Sequence, residues 1–323
     1  MPTIITRGAM SAFAFGYAAG VGNDGIKGIF ALGYSGSSPL TTRNKYTYAS
    51  CTSTASGVGA ASAASYYGSA AGNSTRGIFA LGYSGSSPLT TRNKYTYACC
   101  TSTACGVGAA SAASYGGSAA GNSTRGIFAL GCSSGPSTTR NKYTYASCTS
   151  TASGVGAASA ASYGGSAAGN STRGIFALGI SVGGPSTTRN KYTYASCTST
   201  ACGVGAASAA SYEGSAAGNS TRGIFALGTY CCGLSTTRNK YTYACCTSTA
   251  CGVGAASAAS YVGSAAGNST RGIFALGISG CSPSTTRNKY TYASCTSTAC
   301  GVGAASAASY GGSAASWATC VNT

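Results

Sequence analysis

The chain has 323 residues, in which 19 Lys and Arg face only two acids, Asp24 and Glu213, and no histidine, for a net charge of +17. That balance leaves few groups for acid–base chemistry; it points to an anionic partner, because grouped cations concentrate anions around them, or else the regularly spaced charge merely keeps a nonpolar repeat soluble. Bulky apolar residues are sparse beside 50 Gly and 23 Tyr, and no apolar run is long enough for a membrane-spanning helix.

The opening, MPTIITRGAMSAFAFGYAAG, places Arg7 where a secretion signal needs its apolar stretch, followed by aromatic alternation instead of a cleavage pattern, so no such signal is read there. The hexapeptide GIFALG then begins at Gly28, Gly77, Gly126, Gly174, Gly223 and Gly272, at spacings of 49, 49, 48, 49 and 49 residues. A unit near 49 is too long for one coil of a β-helix or for the common helical repeats, and matches a four-stranded propeller blade.

One unit divides into four strands: Ala63 to Asn73 (AASYYGSAAGN), Arg76 to Tyr83 (RGIFALGY), Asn93 to Cys100 (NKYTYACC) and Ala104 to Ser111 (ACGVGAAS). The turns between them are read as NST, SGSSPLTT and TST. Helix is disfavoured, since Gly, Ser, Thr and Tyr break every 3.6-residue apolar stripe. In GIFALG, Ile78 and Ala80 face one way while Phe79 and Leu81 face the other, as a strand covered on both sides requires.

Ser11 to Gly20 and Ala307 to Ser316 both resemble first-strand segments, giving seven first strands for six units. The expected fold is therefore all-β: a six-bladed β-propeller of four-stranded antiparallel blades, closed by pairing of the N- and C-terminal segments so that no strand edge is left open. Either one terminus completes the first blade and the other becomes an arm, or both share in the clasp. Residues 1–10 are assigned to an N-terminal arm, 11–316 to the propeller, and 317–323, with Trp317 and Cys320, to a tail.

Three cations recur per unit. Lys27, Arg76, Arg125, Arg173, Arg222 and Arg271 precede GIFALG; the Arg-Asn-Lys triplet supplies Arg43 and Lys45, Arg92 and Lys94, Arg140 and Lys142, Arg189 and Lys191, Arg238 and Lys240, and Arg287 and Lys289. Because the two sets follow consecutive turns, they are expected at opposite ends of the sheets, as two cationic rings for an anion or partner. The alternative is that each Arg bonds carbonyls of a neighbouring blade. Nucleic acid is disfavoured, since Tyr46 and Tyr48 alternate with Lys45 along the strand and face away from it.

There are 17 cysteines. Four units place a second cysteine five residues after the first, and with TSTA read as a hairpin connection the candidate disulfides are Cys100–Cys105, Cys197–Cys202, Cys246–Cys251 and Cys295–Cys300. Metal binding is the rival reading; the absence of histidine and the serines Ser56 and Ser153 at two second positions argue against it. The odd number leaves at least one thiol unpaired or intermolecular.

The strands are nearly copied from unit to unit, whereas the segment after GIFALG varies (YSGSSPL twice, CSSGPS, ISVGGPS, TYCCGLS, ISGCSPS). So does the residue after the first-strand tyrosine: Tyr67, Gly116, Gly164, Glu213, Val262, Gly311. Variation confined to one loop of a rigid scaffold marks a contact face or relaxed drift.

The order of an aromatic–small first strand, a second strand ending in Gly33 or Gly82, and Lys-Tyr-Thr-Tyr resembles kelch-type blades over residues 12 to 316, without their paired glycines and fourth-strand tryptophan. TTRNKYTYAS with SAAGNSTRG is similar to tandem repeats in structural proteins of tailed bacteriophages, and ITRGAMSAFAFGYA to the short leader of such virion proteins. That resemblance implies a particle component made in the host cytoplasm and released by lysis, with an extracellular location as the alternative.

An enzyme is not expected. A sialidase-like site needs several acids and a kelch-type copper oxidase needs histidines, a Cys or Ser nucleophile would lack its base, and no glycine-rich phosphate motif occurs. No catalytic, cofactor or metal residues are assigned. The expected function is a structural or adhesion component, presenting loops and cationic rings to other virion proteins or an acidic surface glycan, with assembly into a larger oligomer. The alternative is a multivalent lectin with shallow pockets between blades. Ice binding is weak, with one Thr-Ser-Thr per unit.

Overall fold

The computed structural model describes residues 11–13, 27–31, 33–35, 37–48, 50–54, 58–73, 75–97, 99, 101–103, 107–200, 204–230, 233–249, 253–298 and 302–317. Among them there is no helix; the same four-stranded antiparallel sheet recurs along the chain in a β-propeller-like repeat.

In the second sheet the strands run Ser69–Gly72, Arg76–Ala80, Arg92–Thr96 and Thr101–Thr103. Equivalent sets centre on Arg125–Ala129, Arg173–Ala177, Arg222–Ala226 and Arg271–Ala275. The register Arg92↔Ala80, Lys94↔Ile78 and Thr96↔Arg76 puts these side chains on one face; Asn93↔Phe79 and Tyr95↔Gly77 occupy the other.

Each face has a fixed counterpart. The Arg/Lys/Ile face of one sheet packs on the Phe/Tyr/Asn face of the next, as Arg92 Nη2 bonded to Asn141 Oδ1 at 3.2 Å shows. The SAAG strands of successive sheets adjoin one another and are buried on both faces. Their side chains are small because sheets converge there: a Cβ added to Gly126 would lie 2.9 Å from Ala71 Cβ of the preceding sheet. Gly174 meets Ala120 and Gly223 meets Ala168 at the same 2.9 Å. Farther out the sheets diverge, and the wedge is filled by Phe79, Tyr95, Tyr97 and their copies, all nearly inaccessible to solvent.

Two strand assignments are corrected. Thr-Ser-Thr is the fourth strand, not a turn: Thr101–Thr103 pairs with Thr96, Tyr95 and Lys94. The tight connection is the segment before it, where Cys51, Cys148, Cys197, Cys246 and Cys295 adopt left-handed φ values of 54–55°. The β-branched threonines suit the extended edge, and no residue type in TST demands a turn. The stretch expected as the fourth strand instead crosses to the next sheet, where Gly108 N donates to Cys148 O at 2.8 Å.

The chain ends also resolve into separate roles. Ser313–Trp317 pairs with Lys27–Ala31 and supplies the innermost strand of the first sheet, so Trp317 closes that strand and does not begin a tail. Ser11–Phe13 does not join the first sheet; it pairs with Ser215–Gly218, the innermost strand of the fifth. Residues 1–10 and 318–323 lie outside the described residues.

Candidate functional site

The arginines of the Arg-Asn-Lys triplet form no exposed ring. Arg43, Arg92, Arg140, Arg189, Arg238 and Arg287 are at most 2% exposed. Arg140 shows the pattern: Nη1 donates to Gly156 O (3.4 Å) and Ala157 O (3.3 Å), and Nη2 to Asn190 Oδ1 of the next sheet (3.2 Å). The guanidinium carbon lies 4.6 Å from the Phe176 ring centroid. Asn190 Oδ1 also accepts from Ser159 N, and its Nδ2 donates to Ser159 Oγ. With no carboxylate nearby, burial pulls these guanidinium pKa values down to about 10.

The other arginine set is tied down at the opposite end of the sheets. Nη1 of Arg76, Arg125, Arg173, Arg222 and Arg271 donates to the carbonyls of Tyr145, Tyr194, Tyr243, Tyr292 and Tyr48 at 2.8, 2.7, 2.6, 2.6 and 2.6 Å. These arginines are half-buried on the second strand of each sheet. The placement at opposite sheet ends matches the expectation, but both sets join sheets. The side chain of Lys27 lies outside the described residues. Lys45, Lys94, Lys142, Lys191, Lys240 and Lys289 are half-buried in mid-strand, on the face turned toward the next sheet.

Between neighbouring sheets, small cavities lie against these buried arginines: about 10 Å³ beside Arg189, Arg43, Arg287 and Arg238, and about 20 Å³ beside Arg92. That volume admits one water molecule and no sugar ring.

The variable segments form short hairpins on one face, for example Tyr83–Ser84 with Ser87–Pro88, bridged to the segment ahead of Ser69–Gly72 through Tyr66↔Tyr83. A chain of half-exposed tyrosines runs across it: Tyr310–Tyr34, Tyr34–Tyr66, Tyr66–Tyr83 and Tyr83–Tyr115 have ring centroids 5.2, 5.1, 5.5 and 5.4 Å apart. The exposed large hydrophobics Val182, at 91%, and Tyr230 lie on two further hairpins. The hairpin sequences contain no charged residue.

At the centre of this face the second variable position makes a circuit that sequence reasoning missed. Tyr67 N donates to Gly311 O, Gly311 N to Val262 O, Val262 N to Glu213 O, Glu213 N to Gly164 O, Gly164 N to Gly116 O and Gly116 N to Tyr67 O, at 2.6 to 2.9 Å. All adopt φ of 54–65°. Only this backbone requirement explains why glycine recurs there; the three glycines were the available signal. Burial raises the Glu213 carboxyl pKa to about 7.

Cys100, Cys105, Cys202, Cys251 and Cys300 lie outside the described residues, and with them the four candidate disulfides. The Thr-Ser-Thr between the paired positions is an extended strand and not the hairpin connection expected. Cys148, Cys197, Cys246 and Cys295 are free thiols. Among the described residues no group of three or more His, Cys, Asp or Glu could hold a metal, and no helix is long and apolar enough to cross a membrane.

No protein-family model matches the chain, and no curated protein sequence matches it.

Proposed function

We propose that this chain is a non-enzymatic, six-bladed propeller scaffold that binds a partner through its uncharged hairpin face. Supporting closure, the last sheet bonds to the first through Arg287–Asn44 at 3.3 Å, Arg271–Tyr48 O at 2.6 Å and Gly303–Cys51 O at 2.6 Å. The observation that carries the binding reading is where sequence variation and exposure coincide: varied hairpins rich in Tyr, Ser and Gly, with Val182 and Tyr230 protruding. Such composition combines rigid aromatic anchors with adaptable polar contacts. The partner is a protein surface or a glycan in an assembly, and the phage-like phrasing of the repeat suggests a virion as the setting.

Buried or tethered arginines weaken the reading in which cationic rings recruit anions. The lectin alternative moves from pockets between sheets, which are too small, to the tyrosine chain on the hairpin face.

The test compares binding to host cells and to purified particles for the wild type, Val182→Asp with Tyr230→Asp, and Lys142→Gln with Lys191→Gln. Loss in the hairpin pair at unchanged melting temperature is the expected result. Loss only in the lysine pair would overturn the hairpin reading, and competition by one free monosaccharide would assign the lectin.

A further inference from the structure

On the face opposite the hairpins, the same small constellation recurs where a cysteine turn of one sheet meets an arginine of the sheet before. Arg76 Nη1 lies 3.6 Å from Cys148 Sγ, Arg125 Nη1 3.6 Å from Cys197 Sγ, Arg173 Nη1 3.8 Å from Cys246 Sγ and Arg222 Nη1 3.7 Å from Cys295 Sγ. Each guanidinium is held in place by its bond to the tyrosine carbonyl, and each Sγ lies 3.7 or 3.8 Å from the same carbonyl. Tyr143 and Tyr192 are buried on the same strands, and burial pushes their hydroxyl pKa values far up. The thiols are half-buried, and their neighbours Ser147 and Thr149, or Ser196 and Thr198, are exposed.

We propose that Cys148, Cys197, Cys246 and Cys295 are oxidation sites for small hydroperoxides, with the partner arginine positioned to hold the oxidised sulfur. In the reaction the sulfur attacks one peroxide oxygen, the O–O bond breaks, and its electron pair leaves on the other oxygen. That oxygen takes up the thiol proton, giving water from hydrogen peroxide or an alcohol from an organic hydroperoxide. Sulfur is oxidised by two electrons to a sulfenic acid and the peroxide is reduced by two. The guanidinium faces both places where negative charge collects: the departing oxygen and the sulfenate. No carboxylate competes for it, since Glu213, the one acid among the described residues, sits in the ring on the hairpin face. The oxidised face would gain a ring of polar, arginine-bound oxygens without unfolding the sheets.

The repeat supplies its own controls. The intact protein is treated with hydrogen peroxide in the presence of dimedone, and labelling is followed cysteine by cysteine by peptide fragmentation. Cys197 and Cys246 fall in tryptic peptides told apart by Glu213 and Val262. In the wild type the four sites are expected to label faster than Cys281, an exposed thiol on a hairpin. Arg125→Gln is expected to slow Cys197 by about tenfold relative to Cys246 in the same molecule, and Arg125→Lys to restore part of that rate. Equal labelling of Cys197 and Cys246 in Arg125→Gln, or wild-type labelling no faster than Cys281, would overturn the proposal. The wild-type comparison stands even if the variant fails to fold, and Arg222→Gln read at Cys295 repeats the variant arm.

Discussion

Arg140 and Asn190 belong to different sheets and meet in the dark of the protein: Nη2 donates to Oδ1 at 3.2 Å, with both side chains at most 2% exposed. The same relationship joins Arg43 to Asn93, Arg92 to Asn141, Arg189 to Asn239, Arg238 to Asn288 and Arg287 to Asn44. A buried cation without a counter-charge survives here because two carbonyls, the Asn190 amide oxygen, the Ser199 hydroxyl and an aromatic face replace water around the Nη atoms of Arg140.

Asn190→Ala removes the acceptor shared by Arg140 and Ser159 N, and leaves the buried, charged Nη2 of Arg140 without it. A loss of about 3 kcal/mol or more is expected, seen as a lower urea midpoint at unchanged slope.

Gly126→Ala tests the close approach of sheets near the axis. Its Cβ would press on Ala71 Cβ and on Tyr145 Oη, both at 2.9 Å. Neither neighbour can retreat without moving a sheet, so about 1–3 kcal/mol of destabilisation is expected in the same denaturation experiment. Gly135→Ala, where nothing lies within 4 Å, is the matched control.

Glu213 gives a pH dependence of defined sign. Its folded pKa of about 7 stands above the unfolded value of 4.5, so the folded state binds the extra proton. Stability is unaffected below about pH 4.5 and falls as pH rises toward 7, by up to about 3 kcal/mol. Glu213→Gln lacks this loss, and the two melting temperatures should separate between pH 5 and pH 8 with the variant higher.

At alkaline pH the tyrosines decide. Burial holds the folded pKa of Tyr97, Tyr145, Tyr194, Tyr243 and Tyr292 well above 10, and raises those of Tyr143, Tyr192, Tyr241 and Tyr290 as well. Above pH 10 the unfolded chain loses these protons first, and each costs the fold about 1.4 kcal/mol per pH unit. The buried arginines act oppositely, because their folded pKa of about 10 lies below 12.5, but the tyrosines just named outnumber them. A steep loss of folded protein starting near pH 10, followed by tyrosinate absorbance, is expected.

Removing residues 313–323 strips the innermost strand from Lys27–Ala31 and exposes its edge. Self-association or loss of cooperative unfolding is expected by sedimentation and calorimetry. Among the described residues, removing 1–13 takes away the strand added to Ser215–Gly218, and each repeated sheet keeps its four strands.

The sequence by itself determined the period and the all-β class, because each follows from local chemistry repeated six times: alternation in GIFALG and turn residues between strands. It also marked the hairpins as the variable element. Only the tertiary structure decided where the positive charge goes, which strand forms the outer edge, and which terminus completes the first sheet. The reason is that those outcomes depend on how chain segments meet in space, from Arg140 with Asn190 of the next sheet to Lys27 with Trp317 near the other end of the chain. An arginine reads alike in sequence whether its acceptors are water or the carbonyls of Gly156 and Ala157. Stacking the sheets face to face chose the second.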